Sequence, residues 1–186
     1  MVLTTYTWTH QKYHQAIEQG LFNDEPVELL RGDLVVMTPE GESHAYYNTE
    51  IADYLRLKLG SKAKIRDAKP VTLPNNSEPE PDIAVVQNLG QEYLHHHPYP
   101  ENIFLIIEIS KTTLNKDLGE KKTIYAEAGI REYWVVDLQN SQLQVFRALS
   151  DGQYCEALAL TTGTVSPCAF PEITLNIKRI LSGHLD

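Results

Sequence analysis

Two short apolar runs constrain this chain more than anything else in it. The first is Pro81-Asp82-Ile83-Ala84-Val85-Val86 and the second is Ile103-Phe104-Leu105-Ile106-Ile107-Glu108-Ile109-Ser110. Runs this apolar read as strands buried on both faces. Each carries one carboxylate. Five apolar residues precede Glu108 and one follows it, and an ionised carboxylate in such a place costs on the order of several kcal/mol unless a cation or donor sits beside it. Asp82 opens its run behind a proline that stiffens the approach. If the two strands are neighbours, the carboxylates converge on one spot. Two convergent hard oxygen ligands suit Mg²⁺ or Mn²⁺.

The remaining elements follow from periodicity and punctuation. Residues 9–19 read as a helix with Thr7 or Thr9 as cap and Gly20 as stop. Residues 27–30 and 34–38 read as a hairpin turned by Arg31-Gly32-Asp33. Alternation turns Glu28 away from Val27 and Leu29, which predicts a solvated carboxylate on an edge strand. A helix over 44–59 carries the apolar stripe Tyr47, Ile51, Tyr54, Leu55 and Leu59. His44 falls in or just before its first turn, where the helix dipole favours a neutral imidazole, and by position alone it reads as a cap or surface residue.

Residues 63–73 read as extended, bent by Pro70, and the acidic, turn-rich stretch 74–80 delivers Asp82 to its strand, with Glu80 as a solvated loop carboxylate. Residues 87–102 connect the two acid-bearing strands and contain His95-His96-His97. Adjacent side chains of an extended loop point in different directions, no cysteine or histidine stands at zinc-finger spacing, and no HExxH is present. The run is therefore expected to be an exposed loop, with a zinc site as its rival reading.

A helix over 117–128, ended by Gly129, turns Leu118, Lys121, Ile124, Tyr125 and Ala128 inward. A lysine on that face either snorkels to the surface or is an ammonium held near buried carboxylates. The awkward charge of Glu108 favours the second account. Residues 132–137 and 142–148 read as a hairpin through 138–141. Further strands are expected at 154–160 and 173–177, and a helical turn at 178–185, with Trp134 a core aromatic.

With 186 residues, 42% of them hydrophobic, the chain is expected to form one domain with a sizeable core. A formal charge of −9 argues against a general nucleic-acid coat protein, whose footprint is basic. Basic residues do cluster locally, as Lys62, Lys64, Arg66 and Lys69 and as Lys111, Lys116, Lys121 and Lys122, and each cluster reads as a groove lining or as a solvated face. Cys155 and Cys168 lack metal-ligand spacing and are expected to be free thiols in a reducing cytoplasm. No apolar run is long enough to span a membrane, and Met1-Val2-Leu3-Thr4-Thr5 lacks the regions of a signal peptide.

Taken in order, Pro81-Asp82, Glu108-Ile109-Ser110, Asp117-Leu118-Gly119-Glu120-Lys121 and Tyr125-Ala126-Glu127-Ala128-Gly129-Ile130-Arg131-Glu132-Tyr133-Trp134 resemble the Uma-two (Uma2) family of endonucleases. Val27-Glu28-Leu29-Leu30-Arg31-Gly32-Asp33 and Ser43-His44 look like the same family, and the resemblance runs from about Thr7 to Ile177. It implies an α/β, restriction-endonuclease-like fold of the PD-(D/E)XK superfamily, a mixed β-sheet core flanked by helices, over residues 1–186. In the superfamily a lysine usually lies two residues beyond the second acid. Ser110 stands there, and the family's pattern implies that Lys121 takes the lysine's place, with Lys111 and Lys116, both expected to be exposed, as fallback candidates.

The resemblance further implies that Asp82, Glu108 and the Ile109 carbonyl hold Mg²⁺ or Mn²⁺, which polarises a phosphodiester of DNA, while Lys121 orients water or stabilises charge on phosphorus. Glu28 would hold a water or a second metal. His44 would contact phosphate or orient a neighbour. A homodimer follows by analogy with nucleases that cut both strands. Rival readings are an inactive binding module of the same fold and a metal-dependent hydrolase of a small phosphorylated compound.

Overall fold

The computed structural model describes residues 5–183; the first four residues and residues 184–186, which include the end of the helical turn expected over 178–185, lie outside the described residues. Helix α1 (His10–Glu18) starts where the Thr9 side chain accepts a hydrogen bond from the Lys12 N–H. Strands β1 (Val27–Leu30) and β2 (Asp33–Val36) pair antiparallel around a two-residue turn. Arg31 and Gly32 both take positive φ, 50° and 83°, which is the signature of a hairpin turn whose twist matches the flanking strands. Gly32 is also confined from outside, because a Cβ there would lie 3.0 Å from Thr7 Cβ and 3.1 Å from the Trp8 carbonyl oxygen. Helix α2 (Glu42–Leu59) follows.

A six-stranded mixed sheet forms the centre, in the order β3 (Lys64–Asp67), β4 (Ile83–Val86), β5 (Ile103–Ser110), β6 (Tyr133–Asp137), β7 (Gln142–Ser150) and β8 (Gln153–Leu160). All neighbours are antiparallel except β5 and β6, which run parallel. A parallel pair needs a crossover, and here it is helical. α3 (Leu114–Lys116) leads into a π-helical turn (Asp117–Lys121) and then α4 (Lys122–Glu127). A short pair, β9 (Thr164–Val165) and β10 (Leu175–Asn176), and helix α5 (Ile177–Ser182) complete the described chain.

The central strands are apolar throughout because both faces of the sheet are covered. On one face Ile83, Val85, Leu105, Ile107, Ile109, Trp134 and Val136 pack with Ile51, Leu55 and Leu59 of α2 and with Leu175, Ile177 and Ile180 near the C-terminus. On the other face Ala84, Val86, Ile106, Tyr133 and Val135 pack with Ile124, Tyr125 and Ala128 and with Leu30 of the hairpin. Period-2 alternation thus sends Ile107 and Ile109 to the α2 side, and Ile106 and Glu108 to the side covered by α4 and the β1–β2 hairpin.

The covering hairpin changes one expectation. Glu28 is only 2% exposed, not a solvated edge carboxylate, because β1 lies over the sheet with both of its own faces occupied. Its isolated bridge to Glu78 through Leu29 fastens it to the 74–80 segment. Ile106 is fully buried at the centre of the α4 side. Ile106→Ala should destabilise the protein by about 2–5 kcal/mol, lowering the urea midpoint with an unchanged denaturant slope.

Candidate active site

Strands β4 and β5 are neighbours, and their register decides how the two acids meet. Ala84 lies opposite Ile106 and Ile83 opposite Ile107, so the next pair outward is Asp82 and Glu108. Directly opposed side chains on one face stand about 4.5–5.5 Å apart at Cβ, and like charges in that position repel. The backbone ties the pair closer: the Asp82 N–H donates to Glu108 Oε2 at 3.4 Å, and the Ile109 N–H donates to Asp82 Oδ2 at 2.6 Å.

The helical crossover supplies the counter-charge. Lys121 ends the π-helical turn, is 7% exposed, and places Nζ 2.9 Å from Glu108 Oε1. The Tyr125 hydroxyl donates to the same oxygen at 2.8 Å. Tyr125 follows Lys121 by four residues, so helical spacing puts both on one face. From the other side the hairpin brings Glu28, whose Oε2 is 3.8 Å from Lys121 Nζ and accepts from the Glu80 N–H at 3.3 Å. Lys116 Nζ is 2.7 Å from Glu28 Oε1. Lys116 is thus half-buried and paired, where exposure was the expectation. Lys111 is exposed and donates to Ser43 Oγ at 3.1 Å.

His44 stands at the more open end. Its Nε2 lies 3.0 Å from Asp82 Oδ2 and its Nδ1 lies 2.7 Å from Glu40 Oε1. The expectation of a neutral imidazole fails here. The hydrogen bond to Asp82 leads the causes that push His44 up to about 9, with Glu40 adding to it, and together they outweigh both burial and the N-terminal position on α2. The helix dipole is a fractional charge, whereas the two carboxylates are whole ones at hydrogen-bond distance.

Burial pushes the Glu108 carboxyl up to about 8; Lys121 pulls it down, while Asp82 and Asp117 push with the burial. Burial works against the Lys121 ammonium too, but Glu108, Glu28, Asp82 and Asp117 surround it and raise it above its ordinary value. Lys121 therefore stays charged. Asp117 is itself buried, accepts a hydrogen bond from Thr113 Oγ1 at 2.6 Å, and is raised by burial. The site is a buried acidic cluster held around one buried ammonium.

Asp82, Glu108, Lys121, Glu28 and His44 thus come together in one place, and the Ile109 N–H binds Asp82 within it. Tyr125, Asp117 and Glu40 belong to the same network and were not singled out as site residues from sequence; Lys116, a fallback candidate for the lysine, joins it by pairing with Glu28. Tyr125 and Asp117 were legible in principle, since each lies four residues from Lys121. Glu40 lies four residues before its partner His44 but ahead of α2, outside the helical pattern, and the pairing of Lys116 with Glu28 is set by long-range packing. The histidine run behaves as three separate residues: His95 is exposed, His96 stacks on Tyr99 with ring centroids 4.8 Å apart, and His97 is half-buried beside Glu78. For His97 the exposed-loop expectation is corrected.

The sheet order, the parallel β5–β6 pair and the flanking helices define the restriction-endonuclease-like fold. A solved structure described as "a putative nuclease belonging to DUF820", from Anabaena variabilis, superposes with a TM-score of 0.68 at 18% identity, covering 91% of this chain and 98% of that one. At that identity the likeness is one of fold. The family profile described as "Uma2: Putative restriction endonuclease" matches residues 10–178, and the chain belongs to that family. No curated protein matches it. Among the described residues no helix is long and apolar enough to cross a membrane.

The raised value of His44 carries a linkage consequence. Its contribution to stability is complete below the ordinary value of 6.5 and is lost as pH rises through about 9. In metal-free protein, His44→Gln should be less stable than the parent chain near pH 6.5, and the gap should close above about pH 9. Urea unfolding of both proteins across this range measures it; a gap that does not change with pH would mean that His44 is not held charged.

Proposed function

We propose that the chain is a divalent-metal-dependent endonuclease that hydrolyses phosphodiester bonds of DNA, with Mg²⁺ or Mn²⁺ as its ion. The observation that carries this reading is the opposition of Asp82 and Glu108 across β4 and β5 with the Lys121 ammonium 2.9 Å from one of them. The donor set suits a hard cation. Both hydrogen bonds assigned to the Asp82 carboxylate fall on Oδ2, so its other oxygen keeps acceptor capacity. In a strand the N–H and C=O of one residue point to the same edge, so the Ile109 carbonyl belongs to the edge on which its N–H meets Asp82. Glu108 is buried opposite Asp82, and a bound cation would offset the desolvation that raises its carboxyl. A divalent ion held by Asp82, Glu108 and the Ile109 carbonyl supplies Lewis-acid stabilisation of charge on the phosphodiester.

The protein's own groups have separable roles. Hydrolysis forms a bond from water oxygen to phosphorus and breaks a P–O ester bond, so negative charge builds on the phosphoryl oxygens. Lys121, held as an ammonium, cannot take the proton from water; it stabilises that charge and orients the water. Tyr125 fixes the Glu108 oxygen that Lys121 contacts, and Glu28, anchored by Lys116, fixes the ammonium from the other side. His44, with both ring nitrogens on carboxylates, orients Asp82 and places a positive charge at the solvent end. The first turn of α2 beside it lacks a side-chain cap at Gly41, which leaves backbone N–H groups for an anion, and Lys111 stands next to Ser43.

Two members of the 62–69 basic segment are otherwise engaged, Lys62 with Glu172 and Arg66 over the Tyr93 ring. Phosphate contacts are therefore few, and binding is weak and salt-sensitive. Two copies acting together would cut both strands. Cys155 and Cys168 are free, which agrees with a cytoplasmic chain.

Supercoiled plasmid and an RNA of similar length, incubated with the full chain and Mg²⁺ or Mn²⁺, test the reading. The chain should cleave the plasmid, chelation should stop it, and Asp82→Ala and Lys121→Ala should each slow it by about 100-fold or more while remaining folded by circular dichroism. Equal rates in all three proteins would end the proposal. Binding without cleavage would assign an inactive binding module instead, and hydrolysis confined to small phosphate esters would assign a small-molecule hydrolase.

A further inference from the structure

A second cluster of ligating side chains lies outside the proposed active site. His14 of α1, Glu78 of the acidic stretch before β4, and His97 of the connection before β5 offer ligand atoms that all lie within 4.8 Å of one another. His14 Nε2 is 2.6 Å from Glu78 Oε1 and His97 Nε2 is 4.0 Å from the same oxygen, with the two imidazoles edge to face at 6.3 Å between centroids. We propose that these three residues form a separate binding site for a zinc-type divalent ion.

The chemistry of the donors argues for it. Glu78 is 2% exposed, and its ion-pair partners are both histidines. Its second oxygen accepts from Thr72 Oγ1 at 2.8 Å, and its backbone N–H donates to the Leu29 carbonyl at 2.7 Å. The carboxylate is thus fixed in orientation by an outer contact, as ligating carboxylates are. Two imidazoles and one carboxylate are the donor set of three-ligand zinc sites that keep a position open, and nitrogen donors favour zinc and its first-row neighbours over Mg²⁺. Both histidines are part-exposed, which leaves a route in and room for water as a fourth ligand. With metal–ligand distances of about 2.0–2.2 Å in a tetrahedral site, His97 has to approach the Glu78 oxygen and His14 has to draw back from it, each by less than about 1 Å.

Binding would have two consequences. His14 now meets Glu78 through Nε2, and the ion would take that position, with the ring proton carried on Nδ1. The ion would also tie α1 to two loop segments far from it in sequence. At present α1 is attached nearby through His10 Nε2 to the Ser77 carbonyl, at 3.1 Å, and the Tyr13 hydroxyl to the Val27 carbonyl, at 2.7 Å. The site is a structural clip, and it stands or falls independently of the nuclease reading.

The experiment uses the full chain carrying Asp82→Ala, which disables the acidic centre, after chelator treatment and dialysis. Zn²⁺ titrated by calorimetry should bind at one equivalent. At a Zn²⁺ excess of about 100 times its Kd, Tm should rise by about 5–10 °C, with no rise from Mg²⁺ at the same concentration. Co²⁺ should give visible absorption bands of a four-coordinate site. Adding His97→Ala, or His14→Ala, should abolish the equivalent, the Tm rise and the Co²⁺ bands, with the fold checked by circular dichroism. The proposal is overturned if the Asp82→Ala chain binds no zinc, or if the chain with both histidines replaced binds it undiminished.

Discussion

Asp82 and Glu108 face each other across two antiparallel strands, in a layer closed by a helix and a hairpin. Like charges in that position repel, and burial adds a desolvation cost to each. The surroundings answer this one difficulty. Lys121 is inserted beside Glu108, Tyr125 donates to the same oxygen, and the Ile109 and Asp82 amides turn toward the carboxylates. The π-helical turn belongs to the same solution. It widens the helix where Asp117 and Lys121 both have to be buried, and such turns recur at functional positions. The hairpin then closes the site with Glu28, whose charge is acceptable only because Lys116 and Lys121 lie beside it.

The same cluster has a direction. At the Glu108 end it is closed over, and burial dominates, pushing the carboxyl up. At the Asp82 end it opens through His44, where hydrogen bonds dominate and hold the imidazole charged. Under the proposed function, a phosphodiester would meet the cationic His44 and Lys111 before the acids, which suits an anionic substrate on a chain whose overall charge is negative.

The stretch between the hairpin and β4 serves two places. Glu80 and Asp82 belong to the acidic centre and its margin, whereas Glu78, two residues earlier, is directed to His14 and His97. Glu78 bridges to Leu29, and Glu28, next to it on β1, joins Lys121. One short crossing of backbone thus carries both clusters on neighbouring positions, which is why each of them combines residues so distant in the chain.

The sequence by itself determined the elements that local rules govern. The buried strands, the Arg31-Gly32 turn, the long helix over 44–59 and the inward face of Lys121 all follow from periodicity and turn chemistry, which depend only on near neighbours. The ordered motifs also carried the family. What only the tertiary structure decided were matters of long-range contact. Glu28 is buried because a hairpin lies over the sheet, His44 is charged because Asp82 and Glu40 flank it, and His97 leaves its loop to meet a carboxylate nineteen positions earlier. Charge state and burial are properties of a side chain's surroundings in space, and those surroundings come from segments that no local pattern links.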